Sequence, residues 1–240
     1  MMDQQLLDVV SSTFSSSLSS PLFAQRLQLL KTHLYNRDFE RAFPTSLPSA
    51  DDDVNAEQQA LLETYVLRWV PTRALCYYRI FSKTAKFVPE SDLHIVSIGA
   101  GSGSESLAFQ ALLTNPCTIV LRYQGLMVVT IDVVDSCPGW ESVLTKLTET
   151  SNTSSQAFVN FHHANAVENY SLLRPLISNA NLITLMFTLN EMVSAQGKVP
   201  TTRFLIELIR SMKEGALILV SHVAPTISYL DCGLANLFCV

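Results

Sequence analysis

The sequence predicts an α/β fold, a doubly wound and mostly parallel sheet covered by helices, preceded by a helical extension. Three observations carry this expectation. From His94 onward short β-branched runs alternate with helical stretches; the first run enters a glycine-rich turn directly; and five strand–helix units follow in order without an internal repeat.

Strands are predicted at 94–98, 127–134, 158–162, 182–188 and 216–221, with helices at 105–113, 141–148, 170–177 and 201–212. Residues 150–155 read as a polar loop. Upstream, Leu27, Leu30, Leu34 and Tyr35 sit at helical spacing within 22–43. An acidic, proline-bearing stretch at 44–53 ends that segment. Residues 56–86 read as one or two helices, with Pro71 marking a break or a helix start. The chain therefore divides into a mobile Ser-rich lead-in at 1–21, a helical extension at 22–90 and the α/β domain at 91–240.

Composition narrows the class. Hydrophobic residues make up 48% and charged residues 15%, a balance that excludes disorder as the dominant state. No apolar run reaches the ~18 to 20 residues that span a bilayer, and the start lacks the basic segment of a secretory signal, so no membrane partner is expected. A net charge of -5 argues against coating nucleic acid by charge alone, though not against a local basic patch. The 5 cysteines are scattered with no C-x-x-C pair, which predicts free thiols in a reducing compartment and no metal site.

The chemistry is concentrated after the first strand. In Ser97-Ile-Gly99-Ala100-Gly101-Ser102-Gly103-Ser-Glu105 a buried strand runs into three alternate glycines and then a helix. Glycine suits such a turn because it reaches backbone angles closed to other residues and lets a ligand approach closely. The helix amides that follow favour a polar or anionic group. Dinucleotide enzymes show G-x-G-x-x-G, whereas G-x-G-x-G is the commoner form in S-adenosylmethionine-dependent methyltransferases. Gly99, Ala100, Gly101 and Gly103 are thus candidate cofactor residues of a Rossmann-like sheet.

In such a sheet the second strand ends in an acid that accepts both ribose hydroxyls. Met127-Val-Val-Thr-Ile-Asp132-Val-Val-Asp135 offers two, and Asp135 is preferred because the apolar run stops there; Asp132 takes its place if the strand ends three residues sooner. The distance from Gly99 to Asp135 makes 114–124 an insertion. After the third strand, Asn165 or the backbone of Ala166 can meet adenine. The adjacent His162 and His163 point to opposite faces of their strand and so predict no metal pair. Asn190 and Glu191, at the carboxyl end of the fourth strand, are candidates for the acceptor side, with His222 as a further candidate base.

Residues 64–89 carry Arg68, Arg73, Arg79 and Lys83 among Tyr65, Trp69, Tyr77, Tyr78 and Phe81, with no acid. Guanidinium groups grip phosphates and aromatic faces stack on unpaired bases, so those four cations are the candidate RNA contacts. The opposing expectation is that most of the aromatics dock on the sheet while the charges face water.

Tyr65-Val-Leu-Arg-Trp-Val-Pro-Thr-Arg-Ala-Leu-Cys-Tyr-Tyr-Arg-Ile-Phe81 is the distinctive stretch. With Leu34-Tyr-Asn-Arg-Asp-Phe39, the glycine loop, Val134-Asp-Ser-Cys-Pro-Gly-Trp140 and Phe187-Thr-Leu-Asn-Glu191, it resembles the fungal family of 25S ribosomal RNA uridine-N3 methyltransferases. That resemblance implies a class I methyltransferase fold, S-adenosyl-L-methionine as cofactor, and methylation of N3 of one uridine in large-subunit rRNA. It also implies a pre-ribosomal partner, a nucleolar or nuclear location and a role in ribosome biogenesis. Two departures stand out: Ser97 occupies the place where methyltransferases commonly carry an acid, and the chain stops shortly after the fifth strand. The resemblance therefore implies that the last strands of the sheet are missing and the chain is truncated. A small-molecule methyltransferase, or an inactive cofactor-binding module, is the alternative function.

Overall fold

The structure is a computed structural model that describes residues 2–46, 52–84, 92–114, 128–151, 157–221 and 236–239. Its centre is a six-stranded sheet built from β1 (Leu93–Ile98), β2 (Val129–Asp135), β3 (Ala157–His163), β4 (Leu182–Met186), β5 (Leu217–Ser221) and β6 (Asn236–Cys239), in the order β3-β2-β1-β4-β5-β6. The first five are parallel, with Val96 opposite Asp132 on one side and Ile183 on the other. The doubly wound prediction holds for this sheet. A sixth strand, β6, pairs antiparallel to β5, with Ile218 opposite Phe238, where no further strand was expected.

The sequence dictates the sheet through burial. β4 reads Leu-Ile-Thr-Leu-Met and is buried along its whole length, as a central parallel strand covered on both faces must be. The two hydroxyls in this layer satisfy each other: Thr184 Oγ1 donates to Ser97 Oγ at 3.0 Å. Ser97 thus fills its place by pairing β1 to β4 inside the core.

Helices α6 (Ser104–Thr114), α7 (Trp140–Ser151), α8 (Tyr170–Asn179) and α10 (Lys198–Ser211) match the predicted ones to within a few residues at each end. The fourth strand was expected to run to Thr188, where helix α9 (Thr188–Gln196) begins instead. The strand stops two residues early because Phe187 adopts φ 67, a left-handed conformation that turns the chain and lets Thr188 start the helix.

The N-terminal region departs further from expectation. Residues assigned to a mobile lead-in form α1 (Met2–Thr13) and α2 (Ser15–Leu18). Leu6, Val10 and Phe14 recur at helical spacing and are almost wholly buried against the next helices, each side chain contributing about 1.5–3 kcal/mol. Helices α3 (Phe23–Tyr35) and α4 (Phe39–Ala42) lead to α5 (Asp52–Thr84), which is continuous through Pro71 where a break was possible. Proline removes one helical hydrogen bond, and burial on both sides of it offsets the loss. Leu62, Val66 and Val70 bury with the N-terminal helices, Tyr77 and Phe81 with β1 and α6. The extension therefore shares its core with Leu107, Trp140 and Leu147 of the α/β unit.

Cys137 is a buried free thiol, as expected of it. Among the described residues no group of three His, Cys, Asp or Glu can hold a metal, and no helix is long and apolar enough to cross a membrane.

Candidate active site

Strand order reverses between β2 and β4 on either side of β1, and at such a switch point the carboxyl ends of the strands leave a crevice. A cavity of about 810 Å³ occupies it, within the size of pockets that take cofactors. Its floor comes from the strand ends: Gly99 and Ser102 after β1, Asp135 and Ser136 at the end of β2, Asn165 and Ala166 after β3, and Phe187, Thr188 and Glu191 after β4. The N-terminal helices supply the opposite wall through Phe39, Phe43, Tyr65 and Arg73.

The glycine loop holds its shape through chain-on-chain packing. Gly99 has φ +71, and a Cβ there would stand 2.4 Å from Thr188, whose hydroxyl donates to the Ile98 carbonyl at 2.9 Å. A Cβ on Gly101 would stand 2.2 Å from the Trp140 ring and 2.8 Å from an Asp135 oxygen. Of the candidate loop residues, Gly99 reaches the cavity. Ala100 is buried in the core, Gly101 backs onto Trp140, and a Cβ on Gly103 would meet Leu147, so these three shape the turn without lining the crevice.

Asp135 and Asp132, alternatives in the sequence, are placed apart. Asp135 lines the cavity, with Oδ2 accepting from Gly101 N at 3.0 Å and Oδ1 from Cys137 N at 2.9 Å. Burial raises its carboxyl above the usual range despite those donors. A carboxylate offers about four acceptor directions, so the backbone donors leave capacity for a ligand hydroxyl. Asp132 is removed from the crevice, because β2 continues three residues past it. Its carboxylate lies 2.5 Å from His94 Nε2 and 2.8 Å from His162 Nε2, and accepts from Asn160 Nδ2 at 3.0 Å. Burial works against its charge, but these three donors outweigh it and bring the group down to about 2.

Asn165 and Ala166 line the cavity beyond β3. The Asn165 side-chain oxygen accepts from Val167 N at 3.1 Å, which orders the turn they sit on. His163 also lines it, 3.1 Å from the Ser136 carbonyl oxygen, while His162 turns to Asp132 on the other face.

On the acceptor side, Glu191 lines the cavity and Asn190 does not: one residue earlier on α9, Asn190 is exposed to solvent. Burial pushes Glu191 up to about 7, with Arg73 opposing and Asp135 reinforcing the shift. Glu105, 3% exposed at the start of α6, is pushed by burial up to about 8. His222 lies outside the described residues.

The four basic candidates also separate. Arg68, Arg79 and Lys83 are exposed on α5, whereas Arg73 faces the cavity, its Nη1 donating to the Tyr65 hydroxyl. Most of the interleaved aromatics are core: Tyr77 and Phe81 are 1% exposed, and Phe81 stacks on Phe109 at 4.0 Å. A cavity wall formed by the extension was not foreseen. Its signal was present, since Tyr65, Trp69, Arg73 and Tyr77 recur every fourth residue and so share one helix face.

The cavity suits an adenosyl ligand with a charged tail. It combines a carboxylate with spare acceptor capacity, a polar turn beyond it, and a guanidinium and a carboxyl at the opposite end. A family model described as "Putative SAM-dependent methyltransferase" matches residues 10–236. The 25S rRNA (uridine(2843)-N(3))-methyltransferase of Saccharomyces cerevisiae is 25% identical to this chain over 268 residues, an alignment that spans 95% of the chain and 67% of the yeast protein.

Proposed function

This chain belongs to the SAM-dependent methyltransferase family, and from that premise we propose that it methylates N3 of a uridine in large-subunit ribosomal RNA. The observation that carries the reading is the similarity to the yeast uridine-N3 methyltransferase across 95% of the chain. It extends through α5, the helix that bears Arg68, Arg79 and Lys83.

In this reading Asp135 would hold the ribose hydroxyls and Asn165 and Ala166 the adenine, while Gly99 would let the ligand lie close to the backbone of the turn. When bound, S-adenosylmethionine supplies a methyl group already activated on a sulfonium, so the protein's work is alignment and proton management. N3 lies on the Watson–Crick edge, so the uridine is unpaired or flipped when it enters. Uracil N3 carries a proton, and Glu191 is the group that takes it. Its position near pH 7 keeps a substantial fraction ionised at neutral pH while leaving it basic enough to act. The exposed cations of α5, Arg68, Arg79 and Lys83, meet phosphates outside the cavity. The partner is then a pre-ribosomal particle and the place of action the nucleolus or nucleus.

The test is incubation of the full chain with methyl-labelled cofactor and unmodified large-subunit rRNA, followed by mapping of the label. Label at N3 of one uridine is the expected result. Label confined to small acceptors, which the net charge of -5 would suit, favours the small-molecule alternative and contradicts the proposal.

A further inference from the structure

Arg73 takes no part in the proton transfer, yet it is the cavity's most confined cation. Its guanidinium donates to the Tyr65 hydroxyl, and its Cζ stands 5.4 Å from the Tyr65 ring centroid and 5.6 Å from that of Phe187. Among the described residues no carboxylate lies within 4.0 Å of it. A guanidinium carries five N–H donors in a rigid fork, and Tyr65 takes one. Burial opposes its charge, yet a guanidinium is not deprotonated in a protein and this one is held above its ordinary range. A confined cation without a paired anion is costly, and a planar fork is matched best by a carboxylate or phosphate.

The order of strand ends says which ligand group meets it. Asn165 and Ala166 follow β3, Asp135 ends β2, Gly99 follows β1, and Phe187 follows β4. Neighbouring strands lie ~4.8 Å apart, so β3 to β4 spans about 14 Å. A ligand whose base rests beyond β3 and whose sugar sits at β2 carries its far end across β1 to β4. In S-adenosylmethionine that end is an amino acid with an α-carboxylate, an α-ammonium and the sulfonium. The cavity offers the complement of the one anionic group there, the Arg73 fork beside Tyr65 and Phe187.

We infer that Arg73 anchors the α-carboxylate of the cofactor's methionine end through its outward N–H groups, with Tyr65 and Phe187 fixing the fork. The inference rests on the cofactor placement proposed above and is independent of which acceptor is methylated. Arg73 is thereby moved from the RNA surface to the cofactor site.

Calorimetry with two probes tests it. S-adenosylhomocysteine keeps the amino-acid end, whereas 5′-methylthioadenosine lacks it. Arg73→Met is expected to weaken S-adenosylhomocysteine about 10- to 100-fold, the range for lost charge-assisted hydrogen bonds, and to leave 5′-methylthioadenosine unchanged. Arg73→Lys, which keeps the charge without the fork, recovers part of the loss. Equal weakening of both probes, or unchanged binding of both, overturns the inference. Should Arg73→Met fail to fold by circular dichroism, Tyr65→Phe keeps the ring and removes the orienting acceptor. It is expected to weaken S-adenosylhomocysteine several-fold and spare the shorter probe, and equal effects on the two overturn the assignment. A wild-type chain that binds neither probe overturns the cofactor placement and this inference with it.

Discussion

Glu191→Gln is expected to lower the methyl-transfer rate about 100- to 1,000-fold, the range for loss of a positioned general base. The reason lies in where α9 begins. Phe187, at φ 67, ends β4 and turns the chain so that Glu191 falls in the first turn of the helix, facing the cavity. Burial holds its carboxyl at about 7 rather than in the ordinary carboxylate range. Only the ionised form accepts a proton, so the wild-type rate rises with pH through about 7 and levels off above it. Glutamine has the same shape and no such titration, so this limb of the profile disappears in the variant. Single-turnover rates across a pH series read both effects. An unchanged rate, or an unchanged pH limb, places the base elsewhere.

Asp135→Ala is expected to weaken S-adenosylhomocysteine about 100-fold. Hydrogen bonds to a charged group contribute about 1.5–3 kcal/mol each, and two ribose hydroxyls sharing one carboxylate reach that factor together. The same substitution strips the acceptors from Gly101 N and Cys137 N, so some stability is lost with the affinity. Asp135→Asn separates the two, since its amide oxygen still accepts from one backbone N–H while the negative charge is gone. Affinity falling in both variants, with the melting temperature falling mainly in the alanine one, is the expected pattern from calorimetry and thermal melts. Loss of melting temperature alone would reduce Asp135 to a structural cap of the loop.

The sheet was legible because buried parallel strands leave a plain mark, continuous β-branched runs such as Ile95–Val96 and Val128 to Ile131 between helical stretches. The glycine loop was legible for the same reason that it is rigid: alternate glycines fit a turn with Thr188 and Trp140 pressed against it. The choice between Asp132 and Asp135 was half legible, since it depends on where β2 ends and the sequence sets that only within a few residues. Residues 2–18 were misread because serine content masked the Leu6, Val10, Phe14 stripe, which forms a helix only with α5 to bury it against. Helix α9 was hidden because the left-handed turn at Phe187 carries no glycine to announce it. The role of Arg73 needed the tertiary fold: a basic, aromatic-rich helix reads as a surface until one face is seen to close the cavity.

Every role proposed for Asp135, Glu191 and Arg73 requires that the crevice at the ends of β1 to β4 hold S-adenosylmethionine. Titration of the full chain with S-adenosylhomocysteine, followed by heat, tests it most directly. A saturable one-to-one isotherm that is weakened by Asp135→Asn is the predicted result. Absence of heat from a chain whose circular dichroism and cooperative melting report a folded α/β protein would contradict it.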